Sequence, residues 1–116
     1  MDDDKRHLEA TRNLLEEEGY TVFVHGDPFG TTHLIHTIKP DLVLMDINMP
    51  ALSGEQLAKL AKGNLSTRNV PIVFYSSNDE DSLRQSARHF GVEGYICKGD
   101  PVALRAKVAR FIAAAG

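Results

Sequence analysis

Short apolar segments of strand length alternate with amphipathic segments of helix length along this chain. The clearest strands are the continuous apolar runs at residues 42–46 and 70–75, which are typical of strands that are covered on both faces. A segment of helix length separates the two runs, and strands joined in this way form right-handed crossovers. The alternation therefore predicts an α/β fold with a doubly wound parallel sheet.

The remaining elements are predicted from the spacing of apolar residues and from the glycines and prolines at the ends of each segment. Residues 21–25 are β-branched or aromatic and lie between two glycines, which predicts a strand. Proline at position 101 favours the first turn of a closing helix. We predict helices over residues 5–18, 31–39, 54–63, 79–90 and 101–115, and strands over residues 21–25, 42–46, 70–75 and 94–97.

Composition limits the classes of function. A chain of 116 residues that is 42% hydrophobic is typical of a single domain, here residues 1–116. A formal net charge of -3 argues against direct nucleic-acid binding through bulk electrostatics. One cysteine excludes an internal disulfide, and no apolar run is long enough to span a membrane or resembles a signal peptide. We therefore expect a cytoplasmic location and no membrane partner.

Polar residues stand where the predicted strands end. Asp46 follows one apolar run, Ser76 follows the next, Lys98 follows the last strand, and Asp2 with Asp3 precede the first helix. Carboxylates that share one crevice repel each other unless a cation is present, and Mg²⁺ suits a site with few carboxylates, water and phosphate oxygens. Lys98 and Ser76 could take charge from phosphoryl oxygens. The set predicts a phosphate site.

The same residues, in the same order, resemble the receiver domain of response regulators in two-component signalling, including chemotaxis regulators. The resemblance rests on Asp2-Asp3, on Asp46 through Pro50 with Gly54, on Ser76 after its strand, and on residues 94–98 ending in Lys98. It spans nearly the whole chain. It implies a flavodoxin-like sheet with strand order 2-1-3-4-5 and a regulatory domain that is not an enzyme.

The resemblance also implies residue roles. Asp46 would accept a phosphoryl group from a histidine kinase or phosphotransfer protein, while Lys98 and Ser76 contact the phosphate. Mg²⁺ would be held by Asp2, Asp3, Asp46 and the Asn48 backbone carbonyl. Ser76 and Tyr95 would act as switch residues. The last two helices and the last strand would then bind a downstream effector protein or domain.

Two features depart from the family pattern. Gly99 follows Lys98 where receiver domains usually have a proline in a cis peptide, and a cis bond before a non-proline residue costs about 2.5–4 kcal/mol. We therefore predict a trans peptide and weakened or atypical switching. The apolar first strand that normally precedes the acidic pair is also missing, which predicts either a polypeptide that begins further upstream, the explanation we favour, or a strand supplied by a neighbouring molecule.

Other interpretations of these residues remain open. A phosphatase could use Asp46 as its nucleophile, although that class usually has a second acid where this chain has Asn48. A receiver-like scaffold that binds partners without phosphorylation is the third possibility. Residues 2–4 could be only a helix cap or the remnant of a cleavable tag, and Tyr95 could simply pack in the core.

Overall fold

The computed structural model describes residues 4–27, 29–49 and 52–115. In chain order the elements are α1 (Lys5–Glu17), α2 (Thr31–Ile38), β1 (Val43–Met45), α3 (Gly54–Gly63), β2 (Ile72–Ser76), α4 (Glu80–Phe90), β3 (Gly94–Cys97) and α5 (Pro101–Ala115). The predicted helices and the last three predicted strands are all present, with ends that differ from the expected ones by two residues or fewer.

The three strands form one parallel sheet in the order β1-β2-β3. Leu44 is paired with Val73, and Phe74 with Tyr95, so β2 lies at the centre of these three strands. Every residue of β2 is buried. The burial of β2 agrees with the expectation that its apolar run is covered on both faces. The run at residues 42–46 is the one that we expect near the sheet centre, whereas β1 has only β2 as a neighbour among the described strands.

Helices cover both faces of the sheet. Ile72 and Phe74 of β2 belong to a core cluster on the side of α2, α3 and α4, whereas Val73 and Tyr75 pack with Leu15, Leu104 and Val108 of α1 and α5. Because successive strand residues point to opposite faces, one apolar strand fills two separate cores. This doubly wound arrangement confirms the predicted fold class.

Side chains define where the helices begin. Ser53 accepts a hydrogen bond from the Gln56 amide, and the Gln56 side chain accepts one from the Ser53 amide, which together form a capping box before α3. Asp4 caps α1 in the same general way, by accepting from the amides of Arg6 and His7. These caps fix helix starts close to the carboxyl ends of the strands.

The strand predicted over residues 21–25 is wrong. This segment has no regular secondary structure, and the side chains of Phe23 and Val24 are exposed. A cleft of about 480 Å³ is lined both by this segment and by Val43 of β1. A strand needs hydrogen bonds from a neighbour in register, and the described residues place no strand between the segment and β1.

The described sheet therefore contains the last three of the five strands expected from the order 2-1-3-4-5. Its order, β1-β2-β3, agrees with the 3-4-5 portion of that expectation. Strands 1 and 2 of the expected order are not found among the described residues. In the ranges that the structure describes, no helix is both long enough and apolar enough to cross a membrane.

Candidate functional site

The site lies at the carboxyl edge of the parallel sheet. Asp46 directly follows β1, Ser76 is the last residue of β2, and Lys98 directly follows β3. The Lys98 amide donates a hydrogen bond to the Ser76 carbonyl at 2.9 Å, which keeps the ends of β2 and β3 together. Because parallel strands point the same way, the fold brings these three predicted residues to one place.

Asp46 is held as a nearly buried carboxylate. Its Oδ2 atom accepts a hydrogen bond from Lys98 Nζ at 3.0 Å, and only 7% of the Asp46 side chain and 16% of the Lys98 side chain are exposed. The other oxygen, Oδ1, accepts from the Asn48 amide at 3.1 Å. Because the pair is buried, substitution of either residue should be costly to the folded protein.

Lys98 is itself oriented by its surroundings. Its ammonium group lies 5.6 Å from the centroid of the Tyr75 ring on the central strand, within the range of a cation–π interaction. The Lys98–Gly99 peptide is trans, as predicted, and the described residues contain no cis peptide bond. Gly99 has a φ of 111°, a value that side-chain-bearing residues rarely adopt, so glycine suits this turn.

Ser76 lies fully buried in a small amide network. Its Oγ atom accepts hydrogen bonds from Asn48 Nδ2 at 3.1 Å and from the Asn78 amide at 3.3 Å. The second hydrogen of the Asn48 amide group is donated to Asn78 Oδ1 at 2.8 Å. Asn48 and Asn78 each stand two residues after a site residue, which is the sequence signal for this network. Their mutual contact was not predicted.

The start of α3 packs directly against the Asp46 backbone. Gly54 is buried, and a Cβ atom at this position would lie 2.1 Å from the Asp46 carbonyl oxygen. The Gly54 amide also donates to the Ile47 carbonyl at 3.1 Å. The glycine of the sequence motif therefore permits close packing of helix and strand beside the carboxylate.

Tyr95 lies on β3, and its hydroxyl donates to Glu80 Oε1 in the first turn of α4 at 3.0 Å. Two cations, from Arg84 of α4 and Lys107 of α5, each lie 5.9 Å from the centroid of its ring. The ring thus connects the last strand with both of the last helices. Glu80 was not singled out from the sequence, because nothing in its spacing links it to Tyr95.

Asp2 and Asp3, the predicted metal ligands at the front of the chain, lie outside the described residues. Within the described ranges, no group of three or more histidine, cysteine, aspartate or glutamate side chains converges on one point. Asp46 and Asn48 remain as predicted oxygen ligands at the sheet edge. Their oxygen chemistry fits Mg²⁺, which prefers carboxylates and carbonyls.

Comparisons with known proteins identify the family of this chain. Residues 1–109 match the family model described as the response regulator receiver domain. The polar-differentiation response regulator DivK of Brucella anthropi is 31% identical over 102 residues, which cover 84% of this chain and 80% of that protein. The protein RcaC of Microchaete diplosiphon is 28% identical over 98 residues, and this chain spans only 15% of its length.

A solved structure supports the fold. The receiver domain of the sensor histidine kinase PA1611 from Pseudomonas aeruginosa, with a magnesium ion coordinated in its active-site cleft, superposes with a TM-score of 0.85. That comparison covers 97% of this chain and 93% of the other at 22% sequence identity. The sheet edge, the ordered site residues and the family match lead to one conclusion: the chain belongs to the response regulator receiver domain family.

Proposed function

We propose that Asp46 is the phosphoacceptor of this receiver domain and that Lys98 and Ser76 contact the phosphoryl group. The observation that carries the proposal is the pairing of Asp46 with Lys98 at 3.0 Å, next to a buried serine, at the carboxyl edge of the sheet. Receiver domains act as regulatory signalling domains rather than as enzymes with a separate substrate. The same role is proposed here.

In the proposed reaction, an Asp46 carboxylate oxygen forms a bond to phosphorus as the bond between phosphorus and a histidine nitrogen of the donor breaks. The electron pair of that bond returns to the imidazole nitrogen. Such in-line transfer depends mainly on alignment and on charge neutralisation. Lys98 supplies a fixed positive charge at the carboxylate, and Ser76 supplies a hydroxyl group on the next strand.

A magnesium ion is part of the proposal. Asp46, the Asn48 backbone carbonyl, Asp2 and Asp3 would hold it, and when bound it would neutralise charge on the phosphoryl oxygens. The oxygen-only character of these four ligands supports the assignment. The donor would be a sensor histidine kinase or a phosphotransfer protein.

The proposed response to phosphorylation involves Ser76 and Tyr95. The contacts of Tyr95 with Glu80, Arg84 and Lys107 give this ring a direct connection to α4 and α5. A new dianion at Asp46 would bias the position of these elements and so change the surface offered to an effector. The trans peptide at Gly99 supports our expectation of weakened or atypical coupling to that surface.

Phosphorylation can be tested with acetyl phosphate and Mg²⁺, with intact-mass spectrometry as the readout. We expect one phosphoryl group per chain in the unsubstituted protein and none in Asp46→Asn. Asp41→Asn is the matched control, because Asp41 is an exposed carboxylate that precedes β1 and should not affect labelling.

The outcomes separate the competing functions. A slowly decaying adduct that is lost in Asp46→Asn supports the phosphoacceptor role. Rapid release of inorganic phosphate with no accumulated adduct would support the phosphatase alternative, and no reaction at all would support the scaffold. An adduct that persists in Asp46→Asn would refute the assignment of the acceptor.

A further inference from the structure

The Tyr75 ring lies beside the Asp46–Lys98 pair on the central strand. Tyr75 precedes Ser76 on β2 and is paired with Ile96, two residues before Lys98. Residues two apart along a strand share a face of the sheet, so the ring and the Lys98 side chain meet on the same side. The Lys98 ammonium lies over the ring, 5.6 Å from its centroid, while it donates to Asp46 Oδ2 at 3.0 Å. The ammonium therefore contacts both a carboxylate and a ring face.

The Tyr75 ring is held in place by residues of two helices. Only 9% of Tyr75 is exposed, and its side chain packs with Leu104 and Val108 of α5. On α1, the His7 ring lies with its centroid 5.3 Å from that of Tyr75, at an interplanar angle of 40°. A ring that is packed on several sides has little freedom to turn, so it offers Lys98 a fixed face.

A ring face attracts a cation in a different way from a hydrogen-bond acceptor. The attraction comes from the ring quadrupole and does not require one N–H group to point in one direction. The Lys98 ammonium can therefore turn from the Asp46 carboxylate toward a phosphoryl oxygen without losing the ring. Only 16% of the Lys98 side chain is exposed, and the attraction is stronger for a cation that has lost most of its water.

We infer that Tyr75 is a positioning residue whose ring holds the Lys98 ammonium where it meets the phosphoryl group on Asp46. The inference rests on the proposed function, and it adds a residue that acts through Lys98. Without the ring, the long lysine side chain would have to be ordered when the phosphoryl group arrives. Ordering a flexible side chain on binding has a free-energy cost, which would weaken the interaction.

The effect can be measured with beryllofluoride, a non-hydrolysable mimic of a phosphoryl group, by calorimetric titration in the presence of Mg²⁺. Tyr75→Leu keeps an apolar side chain but removes the ring. We expect it to weaken beryllofluoride binding by about three- to thirtyfold, the range of a cation–π attraction at a partly desolvated cation. Tyr75→Phe keeps the ring and its negative face, so its affinity should stay within about twofold of the unsubstituted protein.

Pentafluorophenylalanine at position 75 separates the charge distribution of the ring from its shape. The fluorine atoms withdraw electron density from the ring face, so the attraction for a cation is lost while a ring still fills the site. This variant should lose affinity as Tyr75→Leu does. Phe111→Leu is the matched control, because it removes a ring that packs against the same core cluster, and it should leave beryllofluoride affinity unchanged.

A second readout follows Lys98 directly. In NMR spectra without beryllofluoride, the signals of the Lys98 methylene group next to the ammonium should move in Tyr75→Leu, because the ring current is lost. The same signals should stay in place in Tyr75→Phe. Signals that do not move in Tyr75→Leu would show that the ring does not hold the ammonium, and would overturn the inference.

Three binding results would also overturn the inference while leaving the phosphoacceptor role intact. Equal losses in Tyr75→Phe and Tyr75→Leu would assign the effect to the hydroxyl group. Full affinity in the pentafluorophenylalanine variant, or an equal loss in Phe111→Leu, would assign it to packing alone. If the unsubstituted protein binds no beryllofluoride and forms no adduct with acetyl phosphate, the proposed function fails, and this inference fails with it.

Discussion

Gly54 provides the sharpest test of how the site is built, because one methyl group added there meets the backbone of Asp46, the proposed phosphoacceptor. A Cβ atom at Gly54 would lie 2.1 Å from the Asp46 carbonyl oxygen and 2.8 Å from its carbonyl carbon. Real Cβ atoms essentially never approach closer than 3.0 Å, so the start of α3 and the end of β1 must separate by about 1 Å. Both obstructing atoms belong to the main chain and cannot rotate away.

The expected cost of Gly54→Ala follows from two opposing terms. Overpacking of a buried contact costs about 1–3 kcal/mol. The better helix propensity of alanine recovers at most about 1 kcal/mol. An approach of 2.1 Å to a main-chain atom belongs to the upper part of the overpacking range, about 2–3 kcal/mol. We therefore expect a net loss of about 1–2 kcal/mol in the free energy of unfolding, which lowers the urea midpoint by about 1 M.

Gly63→Ala is the matched control in the same helix. Gly63 is the last residue of α3, and a Cβ atom there would have no neighbour within 4 Å. Alanine should therefore raise the free energy of unfolding by up to about 1 kcal/mol, through helix propensity and a less flexible unfolded chain. Urea unfolding followed by circular dichroism measures both variants.

The two substitutions should have opposite signs. A Gly54→Ala protein as stable as the unsubstituted one would refute the close approach of α3 to Asp46. The same variant should also form the acetyl phosphate adduct more slowly, because the carboxylate is carried on the displaced backbone.

Three further predictions concern the frame around the site. Thr67→Val should lower the free energy of unfolding by about 1 kcal/mol in urea titrations, because the buried Thr67 hydroxyl donates to the Ala61 carbonyl at 2.7 Å; unchanged stability would contradict this role. Glu93→Gln should also lower the free energy of unfolding, by about 1 kcal/mol, because it removes a partly buried ion pair with Lys62. If Glu93→Gln causes the same loss in a variant that lacks the Lys62 ammonium, the ion pair is not its cause. Hydrogen bonds from the first turn of α4 lower the pKa of Asp79. Its carboxylate should therefore stabilise the protein above the unfolded pKa of about 3.9, and this stabilisation should be lost as pH falls through the lower folded pKa. The melting temperature of Asp79→Asn should accordingly fall less over this acidic range than that of the unsubstituted protein.

The sequence predicted most of the fold because its signals are local. The runs at residues 42–46 and 70–75 contain enough apolar residues to cover both faces of a strand, whatever packs on them. Ser53 and Pro101 mark helix starts through bonds and angles within a few residues. Such features depend little on distant parts of the chain.

The segment at residues 21–25 shows where this reasoning fails. Its residues have high β-propensity, yet the structure gives it no strand. Propensity describes how well a side chain suits a strand, whereas a strand forms only beside another that can supply its hydrogen bonds. The cleft beside β1 and this segment is a property of the assembled chain.

For the site, the sequence by itself determined which residue types stand at the strand ends: Asp46, Ser76 and Lys98. Their order along the chain is sufficient to indicate a phosphate site, because parallel strands deliver their carboxyl ends to one edge. Only the tertiary structure decided that Asn48 reaches Ser76 and Asn78 across two loops, and that Tyr95 contacts Glu80. Those contacts depend on distances between separate elements, which folding fixes and which residue spacing along one element does not encode.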